Sequence, residues 1–201
     1  RIANSVNISR DSLSKMEPLI TQTAELILPG DHIDVLAYAC TSASIVLGNE
    51  KVAKNLNYAK PGAKTTNPAF AATKAFEALR AKRIAVLTPY ARDVNDLVQS
   101  AIKSAGFDVP VFGSFNEPHD PTVAAIKIES LKSAVKTIID GRNVDAVFIS
   151  CTSVRVASEV ADIEFELGLP VTSSNHALAW HCLRLAGIDD KLPVFGQLFN
   201  L

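Results

Sequence analysis

Residues 30–42 read GDHIDVLAYACTS and residues 141–153 read GRNVDAVFISCTS, at a constant offset of 111 positions (151 − 40). Each copy begins with glycine, has aspartate at its fifth position and closes with Cys-Thr-Ser. Such similarity predicts two related structural units within one chain. The apolar run inside each copy is typical of a strand that helices cover on both faces. The repeat therefore predicts that Cys40 and Cys151 face one cleft from opposite sides.

The rest of the chain alternates strand-like and helix-like segments without long loops, which predicts an α/β fold of doubly wound parallel sheets. Apolar residues at helical spacing predict helices over residues 11–28, 44–54, 68–79, 90–105, 121–139, 154–167 and 177–185. Apolar runs predict strands over residues 35–39, 82–88, 109–112 and 146–149. Ligands of such sheets bind beyond the carboxyl ends of the strands, where both cysteines fall.

The two units differ in length. Two strands and two helices precede the Cys151 strand in the second unit, whereas only a short segment at residues 2–8 and one helix precede the Cys40 strand. One βα unit, about 25–30 residues, has no counterpart in the first unit. We expect the native protein to carry it in an N-terminal extension.

Composition narrows the class of protein. The chain has 201 residues, of which 48% are hydrophobic and 20% charged, as in compact globular proteins. A formal net charge of −1 indicates neither nucleic acid nor an anionic membrane as a partner. Three cysteines do not form a secreted disulfide framework, and no apolar run is long enough to span a bilayer. We expect a cytoplasmic protein that binds a small molecule, and homo-oligomerisation stays open.

The repeated cysteines are the strongest candidates for chemistry. A thiol at a helix N-terminus is favoured as thiolate by the helix dipole and by free N–H groups. Taken singly, Cys40 or Cys151 would be read as a small buried hydrophobe. Their duplication, each with Thr-Ser behind it, favours a functional role, and a disulfide between them is the weaker alternative.

Polar turns next to the cysteines are candidates for substrate binding. Thr41, Ser42, Thr152 and Ser153 can cap helices and also bind a carboxylate. The same applies, with less force, to Thr66-Asn67 and Ser174-Asn175, and Tyr90 is a candidate because it closes an apolar strand. The chain has neither the Gly-x-Gly-x-x-Gly nor the Walker pattern of nucleotide-binding sites. Together with the hydroxyl-rich turns, this indicates a site for a small acid and not for a dinucleotide. His176 and His181 lack the spacing of zinc ligands on a helix, so no metal site is predicted.

These residues resemble a known superfamily. The two Cys-Thr-Ser turns, Thr88-Pro89-Tyr90 and the segment PVTSSNHA at residues 170–177 are similar to the aspartate/glutamate racemase superfamily. Within it, the chain resembles the branch of maleate cis-trans isomerases, arylmalonate decarboxylases and the ectoine-utilisation protein A group. The segments around both cysteines resemble the last group most, and the resemblance covers nearly the whole chain.

The resemblance implies two pseudo-symmetric Rossmann-like halves, residues 1–66 with 174–201 and residues 67–173, with the active site between them. It implies that the helices after Asn67 and Asn175 cross to the opposite half, and that no metal or organic cofactor is used. One family asparagine belongs to the strand that this chain lacks. A second would fall near Asp120-Pro121, where it is not matched.

The resemblance also assigns roles to residues. In the isomerases, the cysteine matching Cys40 adds to the double bond, the one matching Cys151 handles the proton, and the tyrosine matching Tyr90 contacts substrate. Arylmalonate decarboxylases keep only the second cysteine, so Cys40 argues against decarboxylation. We therefore expect a cofactor-independent two-cysteine isomerase or racemase acting on a small carboxylate. The substrate is either a maleate-like dicarboxylate or an amino-acid derivative, and ectoine utilisation is one role that the resemblance suggests. The alternatives are an arylmalonate-type decarboxylase and a non-catalytic carboxylate-binding or accessory protein.

Overall fold

The computed structural model describes all residues from 1 to 201, and its six strands form two parallel sheets. The smaller sheet pairs β1 with β2, and the larger has the strand order β4-β3-β5-β6. The strands are β1 (Val35–Ala37), β2 (Lys64–Thr66), β3 (Arg83–Thr88), β4 (Asp108–Ser114), β5 (Ala146–Ile149) and β6 (Val171–Ser173). The predicted α/β class with parallel sheets is confirmed. The smaller sheet has no counterpart of β3 and β4.

Helices follow almost every strand and cover the sheets. They are α1 (Arg10–Ser14), α2 (Glu17–Glu25), α3 (Thr41–Leu47), α4 (Asn49–Ala59), α5 (Pro68–Ala78), α6 (Arg92–Ser104), α7 (Asp120–Ala124), α8 (Ile128–Ile139), α9 (Val160–Leu167) and α10 (Ser174–Leu185). Short 3₁₀ turns lie at Ala157–Glu159, Pro193–Phe195 and Leu198–Asn200. None of these helices combines the length and apolar character that a membrane crossing needs.

Apolar spacing explains how the elements pack. On α6, Val94, Val98 and Ile102 recur every fourth residue and are all buried, so this face covers the larger sheet. All four residues of β5 are buried because helices lie on both sides of the sheet. Phe76 of α5 contacts Phe107 and Phe148 edge-on, with ring centroids 5.2 and 5.5 Å apart.

Three predicted helices are each two helices in the structure. The predicted helix over 11–28 breaks before Pro18, because proline lacks an N–H and its ring clashes with the preceding turn. The one over 44–54 is interrupted at Gly48, whose φ of 87° suits glycine. The one over 121–139 breaks at Lys127, where the backbone is extended. Residues 2–8 form no strand of either sheet and make a single isolated bridge, from Asn7 to His119.

The helices that follow the last strand of each sheet pack against the other sheet, as the resemblance implies. Phe76 of α5, which follows β2, contacts Phe148 of β5. On α10, which follows β6, the His181 Nδ1 lies 2.8 Å from the Thr66 hydroxyl of β2. The division into residues 1–66 with 174–201 and residues 67–173 is compatible with this exchange and stays a proposal.

Candidate active site

One cavity of about 390 Å³ lies beyond the carboxyl ends of β1 and β5. Its wall contains both repeat cysteines, Cys40 and Cys151, together with Tyr90. The side facing α1 and α2 is apolar, and it includes Leu13, Met16, Ile20 and Ala24. The volume suits a small ligand.

Cys40 is the residue that caps the N-terminus of α3. Its extended backbone turns the chain from β1 into the helix, and its carbonyl accepts a 2.6 Å hydrogen bond from the Ser44 hydroxyl. The Ser42 hydroxyl lies 3.9 Å from the Cys40 sulfur. The predicted position at a helix N-terminus is therefore found for this cysteine.

Two opposing effects set the pKa of the Cys40 thiol. Burial is the largest effect and raises the pKa, and the negative charge of Asp120 raises it further. The backbone N–H of Ala43 and the hydroxyl of Ser42 stabilise the thiolate and lower the pKa, but they do not cancel the effect of burial. The net effect raises the pKa of Cys40 above its ordinary value.

Cys151 is held differently from Cys40. The predicted helix over 154–167 begins only at Val160, after a 3₁₀ turn, so Cys151 does not sit at a helix N-terminus. Its φ is +99°, a backbone conformation that residues other than glycine rarely adopt. Such a conformation persists only where surrounding contacts hold it, and it re-aims the side chain at the end of β5.

Ser174, the first residue of α10, holds the two cysteine turns together. Its hydroxyl oxygen accepts a 3.0 Å hydrogen bond from the backbone N–H of Cys151 and a 2.8 Å hydrogen bond from the Thr41 hydroxyl. Both Ser174 and Thr41 are buried. One side chain thus fixes the amide of Cys151 relative to the residue that follows Cys40.

Tyr90 is one of two tyrosines in the cavity wall: Tyr38 is hydrogen-bonded to Cys40, and Tyr90 is buried against Cys151. Its carbonyl accepts hydrogen bonds of 2.7 Å from Asn95 and 2.6 Å from Ser114, which fix its backbone. Burial and the neighbouring Cys151 raise the pKa of Tyr90 well above its ordinary value, so it donates a hydrogen bond as a neutral phenol.

The pKa of the Cys151 thiol is also raised, with burial as the largest cause. The Tyr90 hydroxyl and the N–H of Ser153 lower this pKa, whereas Asp120 and Cys40 raise it. Both thiols of the cavity therefore have pKa values above the ordinary one. All three cysteines of the chain are free, so the alternative of a disulfide between Cys40 and Cys151 is not what the structure shows.

The four hydroxyl residues after the cysteines line the cavity, but three of them are engaged inside the protein. Thr41 donates to Ser174, Thr152 donates to the Ala39 carbonyl at 3.2 Å, and Ser153 donates to the carboxylate of Asp120 at 2.7 Å. These side chains therefore shape the turns, and binding of a carboxylate by them stays a proposal.

The other predicted substrate-binding residues do not line the cavity, and a contact of theirs with substrate stays a prediction; they are Thr66, Asn67, Ser174 and Asn175. Thr66 is bound to His181, and Asn67 caps α5 through its side-chain oxygen. Ser174 supports Cys151 from behind, and Asn175 donates a 2.9 Å hydrogen bond to the Thr152 carbonyl. Their polar groups are satisfied by the protein, so they build the site without reaching into it.

Asp120 is a cavity residue that sequence analysis did not single out. The motifs marked its position as unmatched, but whether its side chain reaches the cavity depends on how α7 packs, which no local pattern encodes. No group of three histidine, cysteine, aspartate or glutamate side chains converges as a metal site would require. His176, in particular, bonds Thr172 and the Phe195 carbonyl.

Comparison with known proteins places the chain in a family. Residues 7–199 match the model of the arylmalonate decarboxylase family. A maleate isomerase of Nocardia farcinica is 30% identical over 176 residues, covering 83% of this chain and 69% of the relative. A maleate isomerase of Pseudomonas putida is 28% identical over 201 residues, covering 96% of this chain and 80% of the relative.

A solved structure shares the fold. It is a cysteine-to-serine mutant of the Nocardia farcinica maleate cis-trans isomerase with a covalently bound succinylcysteine intermediate. Its TM-score is 0.90 at 24% identity, over 100% of this chain and 84% of that one. These matches confirm the resemblance to maleate isomerases and arylmalonate decarboxylases, and the closer resemblance to the ectoine-utilisation protein A group stays a prediction. On the family match and the 30% identical relative, the chain belongs to the enzyme family that unites arylmalonate decarboxylases with maleate isomerases.

Proposed function

We propose that the protein is a two-thiol isomerase or racemase that acts on a small carboxylate without a metal or organic cofactor. The observation that carries this proposal is the presence of Cys40 and Cys151, one from each copy of the repeat, in the wall of one cavity. Two thiols flanking one carbon atom can act on both of its faces. The maleate isomerase relatives support the isomerase reading of the site.

For a maleate-like substrate, the steps are an addition and its reversal. The Cys40 thiolate forms a carbon–sulfur bond to one carbon of the double bond, and the π electrons move to the neighbouring carbon, which takes a proton from the Cys151 thiol. Rotation about the resulting single bond, return of the proton to Cys151 and loss of Cys40 give the trans isomer. The succinylcysteine adduct in the Nocardia farcinica enzyme supports this type of intermediate.

For an amino-acid derivative, the same two groups act as base and acid. One thiolate removes the proton from the carbon next to the carboxylate, and the thiol on the other side returns a proton to the opposite face. No bond to sulfur is formed. A raised pKa favours the protonated form of the thiol that donates the proton, and it makes the thiolate, once formed, a stronger base toward a weakly acidic carbon.

Decarboxylation of a malonate is the second candidate, favoured by the family match. Decarboxylation requires protonation of only one face of the carbon, so Cys40 would have no role in it. The binding or accessory role, the connection with ectoine utilisation and the cytoplasmic location are further proposals. A reducing compartment would keep the three thiols free, as they are in the structure.

A substrate screen tests the proposal. Maleate, aspartate, glutamate, hydantoins, a malonate and diaminobutyrate derivatives are incubated in D₂O, and NMR follows isomerisation, exchange of the α-proton and release of carbon dioxide. We expect Cys40→Ala and Cys151→Ala each to abolish turnover. The matched control is Cys182→Ala, because Cys182 lies on α10 and does not line the cavity. A fully active variant at either cavity cysteine would refute the two-thiol mechanism, and tight binding without turnover would favour the binding role.

A further inference from the structure

Asp120 brings a negative charge into the cavity that contains the two thiols. It is the first residue of α7, and it is the only aspartate or glutamate in the cavity wall. Its Oδ1 accepts a 2.7 Å hydrogen bond from the Ser153 hydroxyl, which orients the carboxylate next to the Cys151 turn. Its charge raises the pKa of Cys40 and of Cys151, so it acts on both sides of the space between them.

No cationic side chain forms an ion pair with this carboxylate. The structure contains seven ion pairs, and Asp120 takes part in none of them. Arg1 is the other charged residue of the cavity wall, and it is exposed and unpaired with Asp120. The bond from Ser153 uses only part of the capacity of a carboxylate, which accepts about four hydrogen bonds. Asp120 therefore retains capacity for a donor on the ligand.

The chemistry of the ligand follows from this charge. A dicarboxylate would add two negative charges to a cavity of about 390 Å³ that already contains one. An amino carboxylate instead brings an ammonium group that can pair with Asp120, while its carboxylate faces away from it. At a separation of about 6 Å and an effective dielectric constant of about 20, one such charge interaction changes binding roughly 100-fold.

We propose that Asp120 is a specificity-determining residue that selects a substrate with an ammonium or another hydrogen-bond-donating nitrogen beside the reacting carbon, and discriminates against dicarboxylates without nitrogen. This inference rests on the proposed two-thiol function and names its substrate class. The reaction is then an inversion at the α-carbon. One thiolate takes the α-proton, the opposite thiol gives a proton to the other face, and Asp120 binds the nitrogen without exchanging a proton.

The test compares Asp120→Asn with the unchanged protein on two probes, aspartate and maleate. We expect the unchanged protein to exchange the α-proton of aspartate and to favour aspartate over maleate in kcat/KM. Asp120→Asn should lower that preference about 100-fold, mainly through a higher KM for aspartate and a lower one for maleate. Calorimetric binding of aspartate and succinate gives the same ratio for slow substrates. The matched control is Asp96→Asn, an exposed acid on α6 outside the cavity.

The outcomes separate this inference from the function on which it rests. If Cys40→Ala and Cys151→Ala are inactive but Asp120→Asn leaves the preference unchanged, the role of Asp120 is refuted and the two-thiol function stands. An unchanged protein that prefers maleate or succinate to every nitrogen-bearing probe, or that neither turns over nor binds such a probe, also refutes it. An active cavity-cysteine variant refutes the proposed function itself.

Discussion

Ser174→Ala should weaken both the fold and the reaction, because this hydroxyl oxygen accepts hydrogen bonds from the Cys151 amide and the Thr41 side chain. A buried N–H left without an acceptor costs about 1–3 kcal/mol, and the loss of the second bond costs about 1 kcal/mol. We expect the free energy of unfolding to fall by about 2–4 kcal/mol. The turn around Cys151, with its φ of +99°, loses the contact that holds its amide.

Ser174→Ala should also slow the reaction, because it displaces Cys151 and not because it removes a reacting group. A shift of the Cys151 sulfur by about 1 Å can cost about 100-fold in rate, so we expect kcat to fall at least about tenfold with little change in KM. Urea unfolding followed by circular dichroism gives the stability, and α-proton exchange or isomerisation gives kcat.

Two further variants test this explanation of the Ser174→Ala effect. Thr41→Val removes only the bond from Thr41 to Ser174 and should cost about 1 kcal/mol, and the double variant should cost less than the sum because the two changes share one contact. Ser133→Ala, at an exposed position on α8, is the control and should change neither quantity. A Ser174→Ala protein with unchanged stability and kcat would show that the link between the cysteine turns has no energetic role.

Three further outcomes are expected. Tyr90→Phe removes a hydrogen bond that lowers the pKa of Cys151, so the pH at which iodoacetamide alkylates this thiol should move upward, and a shift in the other direction would contradict the assignment. Cys151→Gly should be more stable than Cys151→Ala by about 1 kcal/mol in urea unfolding, because glycine adopts positive φ without strain, and an equal or lower stability would contradict strain at this residue. Arg83 and two backbone N–H groups hold the pKa of Asp145 well below its usual range. The ionised carboxylate therefore stabilises the fold above about pH 4, and this contribution, about 1 kcal/mol after solvent screening, is lost as the pH falls further. In Asp145→Asn the free energy of unfolding should not show this loss at acid pH.

Sequence analysis could predict what local patterns encode. The apolar runs of the repeat identified β1 and β5. All four side chains of β5 are buried and apolar, so the apolar run has the same first and last residues as the strand. The common Cys-Thr-Ser ending then placed Cys40 and Cys151 in one cavity, because carboxyl ends of parallel strands are where ligands bind.

The remaining features depend on tertiary contacts. Cys151 shares the Cys-Thr-Ser turn with Cys40, yet only Cys40 begins a helix: the Cys40 backbone is extended, whereas Cys151 has a φ of +99° and its amide is bonded by Ser174 from a distant helix. Thr66 looked equivalent to a ligand-binding residue, but His181 of α10 takes its hydroxyl. No spacing rule predicts which of several polar side chains will be engaged by a distant element and which will stay available to a ligand.

The packing of α10 against the smaller sheet has a consequence for synthesis on the ribosome. The strands β1 and β2 are made early, but the helix that covers them, and whose His181 bonds Thr66, comes more than a hundred residues later. The larger sheet and its helices lie wholly between these two points. Since domains fold as their segments emerge, the middle of the chain can reach its final structure first. The strands β1 and β2 must wait for Ser174–Leu185, and a ribosome paused before that helix would present an uncovered, aggregation-prone sheet to chaperones.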